Sequence, residues 1–397
     1  MMIEIHGGGF VNKGAELMLL TVLQEFRRFA NVCCCVEPGR FHPYFDRMAW
    51  RLYQLFPMVK FSFSHRVYVP AFRTSCFLGK VIPGRILEGG ARVRRQDTDA
   101  LVDISGYAFG DPCGVDVAKN FATRAAHYRR RGKPVILLPQ TFGPFDKPNQ
   151  VESFVKIMEN ANLIYARDRI SLEYAQSCCD FAECLKIAPD ITIFFEPDMN
   201  HKGRKLDVSY ACLVPNARML NQGQHKEVWR KVYVTRLADV ARRLVSEHLR
   251  VVILVHEFSG GDEALAREVV EQVRVPHCDV RFALDALEAK SLIAGSRLVV
   301  GSRYHSIVGA LSSGVPAIAL GWSHKYEELM NDFEVSGLIH GATDPPEHLT
   351  SLTDDLMDDT KWSKTHELLL KAKQGMTEAN REMWRDSLAI LGLGKTV

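Results

Sequence analysis

The 397-residue sequence predicts an α/β protein of two Rossmann-like domains whose open sheets face a cleft. Three observations predict it. Short apolar runs end in glycine-rich turns and lead into segments of helical spacing, the punctuation of βα units. That rhythm lapses over residues 196–205, where Pro, Asn, His, Lys and Gly replace apolar residues, and then restarts. The length also exceeds what a single hydrophobic core serves. The expected divisions are an N-terminal domain over 1–200, a C-terminal domain over 205–350, and a helical segment over 361–391 free to pack back on the N-terminal domain.

Taken in order, 3–6 is a strand end that breaks into Gly7-Gly8-Gly9 ahead of a helix over 14–29, with Leu17, Leu20, Val22 and Phe26 facing the sheet. Residues 32–36 form a second strand, whereas 40–95 are aromatic and basic without a firm period. Strands at 100–105, 134–138 and 163–166 follow, with a helix over 115–130. Ser171 is expected to cap a helix over 172–177. Residues 187–195 then carry Asp190. The second half offers strands at 210–214, 251–255, 298–300 and 317–320, and helices at 227–247, 263–273, 307–313 and 326–332.

Composition narrows the function. A formal net charge of +3 is too small for non-specific nucleic-acid binding, so any basic site is local. Neither Arg129-Arg130-Arg131 nor Arg92-Val93-Arg94-Arg95 is interleaved with the aromatics of a single-strand binding face. No signal-peptide pattern opens the sequence and no run of 18 apolar residues occurs, so a cytoplasmic protein without a transmembrane segment is expected. The ten cysteines include Cys33-Cys34-Cys35 and Cys178-Cys179, adjacent placements that read as small buried residues and not as zinc ligands. His256-Glu257 with Asp262-Glu263 matches no zinc template and reads as loop and N-cap, so no metal is expected.

In open parallel sheets ligands bind beyond the carboxyl ends of the strands. The first such loop, His6 to Gly14, lies between a strand and a helix, where free N–H groups and the helix dipole attract an anion. Two familiar fingerprints fail there. Asn12 stands where a dinucleotide motif needs its third glycine, and Ala15-Glu16 replaces the Lys-Ser/Thr of a P-loop. A tight turn without a ligand fits the glycines equally well.

Gly301-Ser302-Arg303-Tyr304-His305-Ser306 is more telling, because a rigid strand-to-helix junction holds an Arg and a His two residues apart. The next strand ends in Gly321-Trp322-Ser323-His324-Lys325, which returns Lys325 to the same edge. Arg167-Asp168-Arg169 follows a strand of the first half; a surface Arg–Asp pair is the plainer explanation for it. Arg forks and a Lys suit phosphate and carboxylate oxygens, and an imidazole beside them suits proton transfer near neutral pH.

These segments together resemble the polysaccharide pyruvyl transferase family. The matching pieces are Gly9–Gly14 (G-x-x-N-x-G), the glycine loop after Asp103, Pro139-Gln140-Thr141-Phe142-Gly143-Pro144, Tyr165-Ala166-Arg167-Asp168, Ala188-Pro189-Asp190, and 302–306 running into 310–316. Ala15-Glu16 departs from the Gly-Asp-Glu that many members carry. The resemblance implies a GT-B-like fold and a transferase that moves the enolpyruvyl group of phosphoenolpyruvate onto sugar hydroxyls of a surface or exopolysaccharide precursor, forming a pyruvate ketal and releasing phosphate. Phosphoenolpyruvate is then a co-substrate and no cofactor is needed.

By that resemblance His305, Lys325 and Arg167 are the catalytic candidates, and Arg303, Tyr304, Ser306 and Lys325 bind the donor. Gly8, Gly9, Asn12, Gly106, Gln140 and Asp168 line the acceptor side. The expected partners are phosphoenolpyruvate and a saccharide or lipid-linked saccharide, the latter able to bring the protein to a membrane surface. Two alternatives stay open: a GT-B glycosyltransferase using a nucleotide-sugar, and a non-catalytic paralogue that binds an anion.

Overall fold

A computed structural model describes residues 1–39, 41–56, 91–179, 183–196, 206, 208–223, 225–258, 260–321 and 323–394. The chain forms two compact units, one of Met1–Phe10, Met18–Asp190 and Arg381–Val397, the other of Val11–Leu17 and Ile191–Asn380.

The first unit is built on β1 (Met2–His6), β2 (Cys33–Val36), β3 (Tyr53–Phe56), β4 (Arg92–Arg94), β5 (Ala100–Asp103), β6 (Val135–Gln140), β7 (Leu163–Ala166) and β8 (Leu185–Ile187). They pair in parallel in the order β4-β3-β2-β1-β5-β6-β7-β8. Every residue of β5, β6 and β7 is buried, the pattern of strands covered on both faces. The described helices are α1 (Lys13–Phe26), whose first turn belongs to the second unit, α2 (Tyr44–Ala49), α3 (Val115–Arg129), α4 (Pro148–Asn160) and α5 (Arg169–Cys178). The last helix of the chain also contributes here: Trp384 meets Phe26 edge-on at 6.4 Å, and Asp386 accepts hydrogen bonds from Lys186 at 2.6 Å and Tyr165 at 3.1 Å.

The second unit repeats the plan with β9 (Tyr210–Val214), β10 (Arg250–Val255), β11 (Cys278–Phe282), β12 (Val299–Gly301) and β13 (Ala317–Ala319), parallel in the order β11-β10-β9-β12-β13. Its helices are α6 (Lys226–Ser246), α7 (Asp262–Val273), α8 (Ala286–Ala294), α9 (Tyr304–Leu311), α10 (His324–Asp332), α11 (Pro346–Met357) and α12 (Asp359–Gly375), with α13 (Thr377–Ile390) completing the chain. Asp285 caps α8 by accepting from the Glu288 N–H at 2.8 Å, while Glu288 reaches back to the Leu284 N–H at 2.7 Å.

Several expectations shift. The chain divides at Asp190/Ile191, upstream of the expected 196–205, of which 197–205 lie outside the described residues. In the weakly patterned 40–95 the structure finds α2, β3 and β4; 57–90 lie outside the described residues. Asp168, not Ser171, caps α5: its carboxylate accepts from the Ser171 N–H at 2.7 Å. Helix α4, strand β11 and helix α8 were not anticipated, and the terminal helical run is broken at Met376. Cys33 is exposed, whereas Cys34 and Cys35 are buried, with the Cys34 thiol pushed up to about 12 by burial.

Candidate functional site

In the second unit the strand order reverses between β9 and β12, and the residues beyond the carboxyl ends are polar. After β9, the Asn216 side chain accepts from the Arg218 N–H at 3.0 Å and donates to the Ser302 carbonyl at 2.7 Å, tying together the turns on either side of the reversal. After β12, Arg303 is buried and spreads its guanidinium over two carboxylates. Nε and Nη2 donate to Asp262 at 2.8 and 2.6 Å, and Nη1 donates to Glu257. Asp262 also accepts from the Ala217 N–H at 2.9 Å, and Glu257 from Asn12 at 3.1 Å. Burial pushes the Glu257 carboxyl up, but Arg303, Arg218 and the hydrogen bonds from Arg303 and Asn12 outweigh it and hold the group below the usual carboxylate range.

His305 sits in the first turn of α9 with its ring against the backbone of Gly14. A Cβ at Gly14 would lie 2.3 Å from its Nδ1, so the second glycine of G-x-x-N-x-G is needed for this close approach. His256 is buried beside both groups: burial first, then the positive fields of Arg303, His305 and Lys13, hold its imidazole well below the ordinary value, and it is neutral. Its Nδ1 has no hydrogen-bond partner among the described residues. The buried Lys13 donates to Glu16 at 2.9 Å and lies 5.1 Å from the Phe258 ring centroid. Burial dominates the lysine's attraction and pushes the Glu16 carboxyl up to about 7. Lys325, buried in the first turn of α10, has its Nζ 5.6 Å from the Tyr304 ring centroid and 5.5 Å from that of Tyr326.

Measured against the sequence reading, Tyr304, His305 and Ser306 belong to a helix and not to the loop before it. The Arg303 fork expected to clasp a donor is turned onto Asp262 and Glu257, residues read from sequence as loop and N-cap. The buried Ser306 hydroxyl donates to the Arg303 carbonyl at 2.7 Å. The N–H groups expected to be free for an anion at the start of α1 are satisfied: Lys13 donates to the His256 carbonyl, Gly14 and Ala15 to the Asn12 side chain, and Glu16 to the Asn12 carbonyl. Asn12 is thus a helix cap and a partner of Glu257.

In the first unit Arg167 is buried, not a surface pair with Asp168. Its Nε donates to Thr141 at 2.8 Å and its Nη1 to Asp190 at 3.1 Å. The Gly8 carbonyl accepts from His42 at 2.9 Å, and Gly9 is buried against Phe41. Burial holds the His42 imidazole down at about 4. Gly106 turns the chain after β5 with φ +72°. Gln140 donates to Asp103 at 2.7 Å, and the same carboxylate receives His6 Nδ1 at 2.6 Å. His6 and Asp103 escaped the sequence reading, although each is the last residue of its strand.

A group with metal-ligand chemistry was also missed: His340, Asp344 and His348 bring one donor atom each within 4.8 Å of one another. Arg236 donates to His340 Nε2 at 2.5 Å, and an arginine can only donate, so the neutral imidazole carries its proton on Nδ1, the atom facing Asp344 and His348. Burial, then Arg236, lowers this histidine to about 4. The trio therefore fits a hydrogen-bonded cluster and does not fit a metal.

Two parallel-sheet units with polar residues beyond their strand ends define an α/β protein of the GT-B class. Solved structures agree in fold: the UDP complex of MnaA from S. aureus superposes with TM-score 0.62 at 13% identity over 99% of this chain and 97% of that one. A UDP-N-acetylglucosamine 2-epimerase from Neisseria meningitidis, bound to UDP-GlcNAc, gives 0.59 at 11% identity, covering 96% and 100%. Residues 12–324 match the polysaccharide pyruvyl transferase family, and the chain belongs to that family. It is 24% identical over 267 residues to the amylovoran biosynthesis protein AmsJ of Erwinia amylovora, a match covering 62% of this chain and 61% of AmsJ. No helix of the described residues is long and apolar enough to cross a membrane.

Proposed function

We propose that the protein is a ketal-forming pyruvyl transferase of exopolysaccharide biosynthesis, taking phosphoenolpyruvate as donor and a sugar bearing two hydroxyls as acceptor. The observation that carries this reading is the placement of His305 and Lys325 in the first turns of α9 and α10, the helices that follow the neighbouring strands β12 and β13. Helix N-termini favour anions, and Lys325 adds a compact charge. Family membership and the likeness to AmsJ support the substrate class.

Donor binding is assigned to Lys325 and the α9 N-terminus, with Tyr304 packed between Lys325 and His305. Arg303 and its two carboxylates fix the strand-to-helix junction that aims His305. His305 protonates the methylene carbon of the donor, giving oxocarbenium character at C2. One sugar hydroxyl adds there, phosphate leaves, and a second hydroxyl closes the ring. Of the two hydroxyl protons released, one replaces that given to the methylene and the other leaves with phosphate.

His305→Ala is expected to keep the fold and reduce phosphate release from phosphoenolpyruvate plus acceptor by at least about a hundredfold, the scale of a lost general acid. Near-normal release would remove His305 from the chemistry.

A further inference from the structure

A guanidinium that clasps an anion needs donors aimed at it, and in Arg303 each of the three nitrogens already donates to a carboxylate. A second arginine stands at the same strand reversal. β9 and β12 pair in parallel with Val214 beside Gly301; Arg218 lies beyond the first and Arg303 beyond the second. The turn that carries Arg218 is fixed from several sides. Its N–H donates to the Asn216 side chain at 3.0 Å, and Asn216 donates in turn to the Ser302 carbonyl at 2.7 Å. Asp262 accepts from the Ala217 N–H at 2.9 Å, and Arg230 Nε donates to the Leu220 carbonyl at 2.6 Å. The side chain is held far less. It is 54% exposed, lies 3.9 Å from Glu257, and makes no hydrogen bond among the described residues. A rigid turn thus presents an uncommitted fork beyond the strand ends, where such sheets take their ligands.

From this arrangement we propose that Arg218 is a donor-binding residue whose guanidinium takes the carboxylate of phosphoenolpyruvate. The inference rests on the pyruvyl transferase reading and divides the donor's two anionic groups between different hosts. A carboxylate offers two coplanar oxygens that match a planar guanidinium through two parallel hydrogen bonds. The α9 N-terminus and the compact charge of Lys325 suit the phosphate. Arg218, α9 and Lys325 all belong to the second unit.

Glu257 places the fork. Its Oε2 accepts from Arg303 Nη1 and lies 3.9 Å from Arg218 Nη2, so the Arg218 guanidinium sits beside the residue that forms the N-cap of α9. A purely structural role, in which Arg218 balances the second carboxylate around Arg303, is the plainer explanation. An ion pair of that length, with the arginine more than half exposed, is worth little. Glu257 also has Arg303 and Asn12 as hydrogen-bonding partners without it. The two roles differ in what the loss of the side chain does: the structural one lowers stability, whereas the binding one lowers affinity for a carboxylate-bearing donor.

The test uses the full-length chain and two ligands, phosphoenolpyruvate and isopropenyl phosphate, which has a methyl group in place of the carboxylate. Affinities are read by calorimetry beside a thermal melt. Wild type is expected to bind phosphoenolpyruvate at least about tenfold more tightly than isopropenyl phosphate. Arg218→Ala is expected to lose at least about tenfold on phosphoenolpyruvate, to stay within about threefold of wild type on isopropenyl phosphate, and to melt within about 2 °C of wild type. Arg218→Lys keeps the charge without the fork and should bind phosphoenolpyruvate at least about threefold more weakly than wild type. Unchanged phosphoenolpyruvate affinity in Arg218→Ala overturns the assignment, and with a lowered melt it leaves only the structural role. An equal loss on both ligands overturns the carboxylate contact. Each of these results leaves the pyruvyl transferase reading intact. A wild-type chain that neither binds phosphoenolpyruvate nor releases phosphate from it overturns both.

Discussion

Gly14→Ala gives a sharp test, because the perturbation can be sized in ångströms. The new Cβ would lie 2.3 Å from His305 Nδ1, 2.7 Å from its Cγ and 2.9 Å from its Cβ. Carbon contacts settle near about 3.5 Å, so the ring must withdraw by about 1 Å. Turning the ring about χ1 does not clear the contact with the His305 Cβ, so the start of α9 must move as well. A misplacement of about 1 Å in a catalytic group costs about a hundredfold in rate. The backbone of Gly14 is helical and takes alanine without strain, so a propensity gain of about 1 kcal/mol offsets part of an overpacking cost of about 1–3 kcal/mol. The expected result is a fold that survives and a turnover about a hundredfold lower, read as phosphate release beside a thermal melt. Gly375→Ala, where nothing lies within 4 Å of the added carbon, is the control and should leave turnover unchanged. Wild-type activity in Gly14→Ala would refute the placement of His305 in the reaction.

Three other outcomes follow from the same network. Arg303→Ala takes the guanidinium from the buried Asp262 and from Glu257, which keeps Arg218 at 3.9 Å, and should destabilise the second unit by about 3–5 kcal/mol in denaturant unfolding; an unchanged midpoint would contradict the keystone role. Glu16 has a folded pKa of about 7 against 4.5 unfolded. Its folded value is raised, so its contribution is fully present below about 4.5 and is lost as pH rises to about 7, a fall of about 3 kcal/mol that Glu16→Gln should abolish. Parallel pH–stability curves for the two proteins would count against it. Asn12→Ala should cost about 1 kcal/mol through the lost cap, and Asn12→Asp, which keeps the cap, should also destabilise by setting a second carboxylate against Glu257. A neutral Asn12→Asp would show that the Glu257 contact carries nothing.

The parts of the fold legible in the sequence were those with a strong local signal. Strands β6 and β10 each contain an unbroken apolar run, over 135–138 and 251–255, and α1, α3 and α6 have clear helical spacing. β3 and β4 have four and three residues, too few to show a period, and β11 was hidden because Asp279 and Arg281 interrupt its apolar pattern. The site was legible in residue type but not in pairing. Arg303 and His305 stand out beside β12, yet only the folded chain reveals that Asp262 and Glu257, some forty residues earlier, take the guanidinium. Gly14 looked like a turn residue, and its reason is a ring from residue 305. His6 and Asp103 lie 97 positions apart and become a pair only through the β1–β5 register.

The central claim is most directly tested by the product. Incubated with phosphoenolpyruvate and an aryl glycoside acceptor, the protein should release phosphate and yield a sugar whose proton spectrum gains the uncoupled methyl signal of a pyruvate ketal. Turnover of a UDP-sugar with no change in phosphoenolpyruvate would contradict the account.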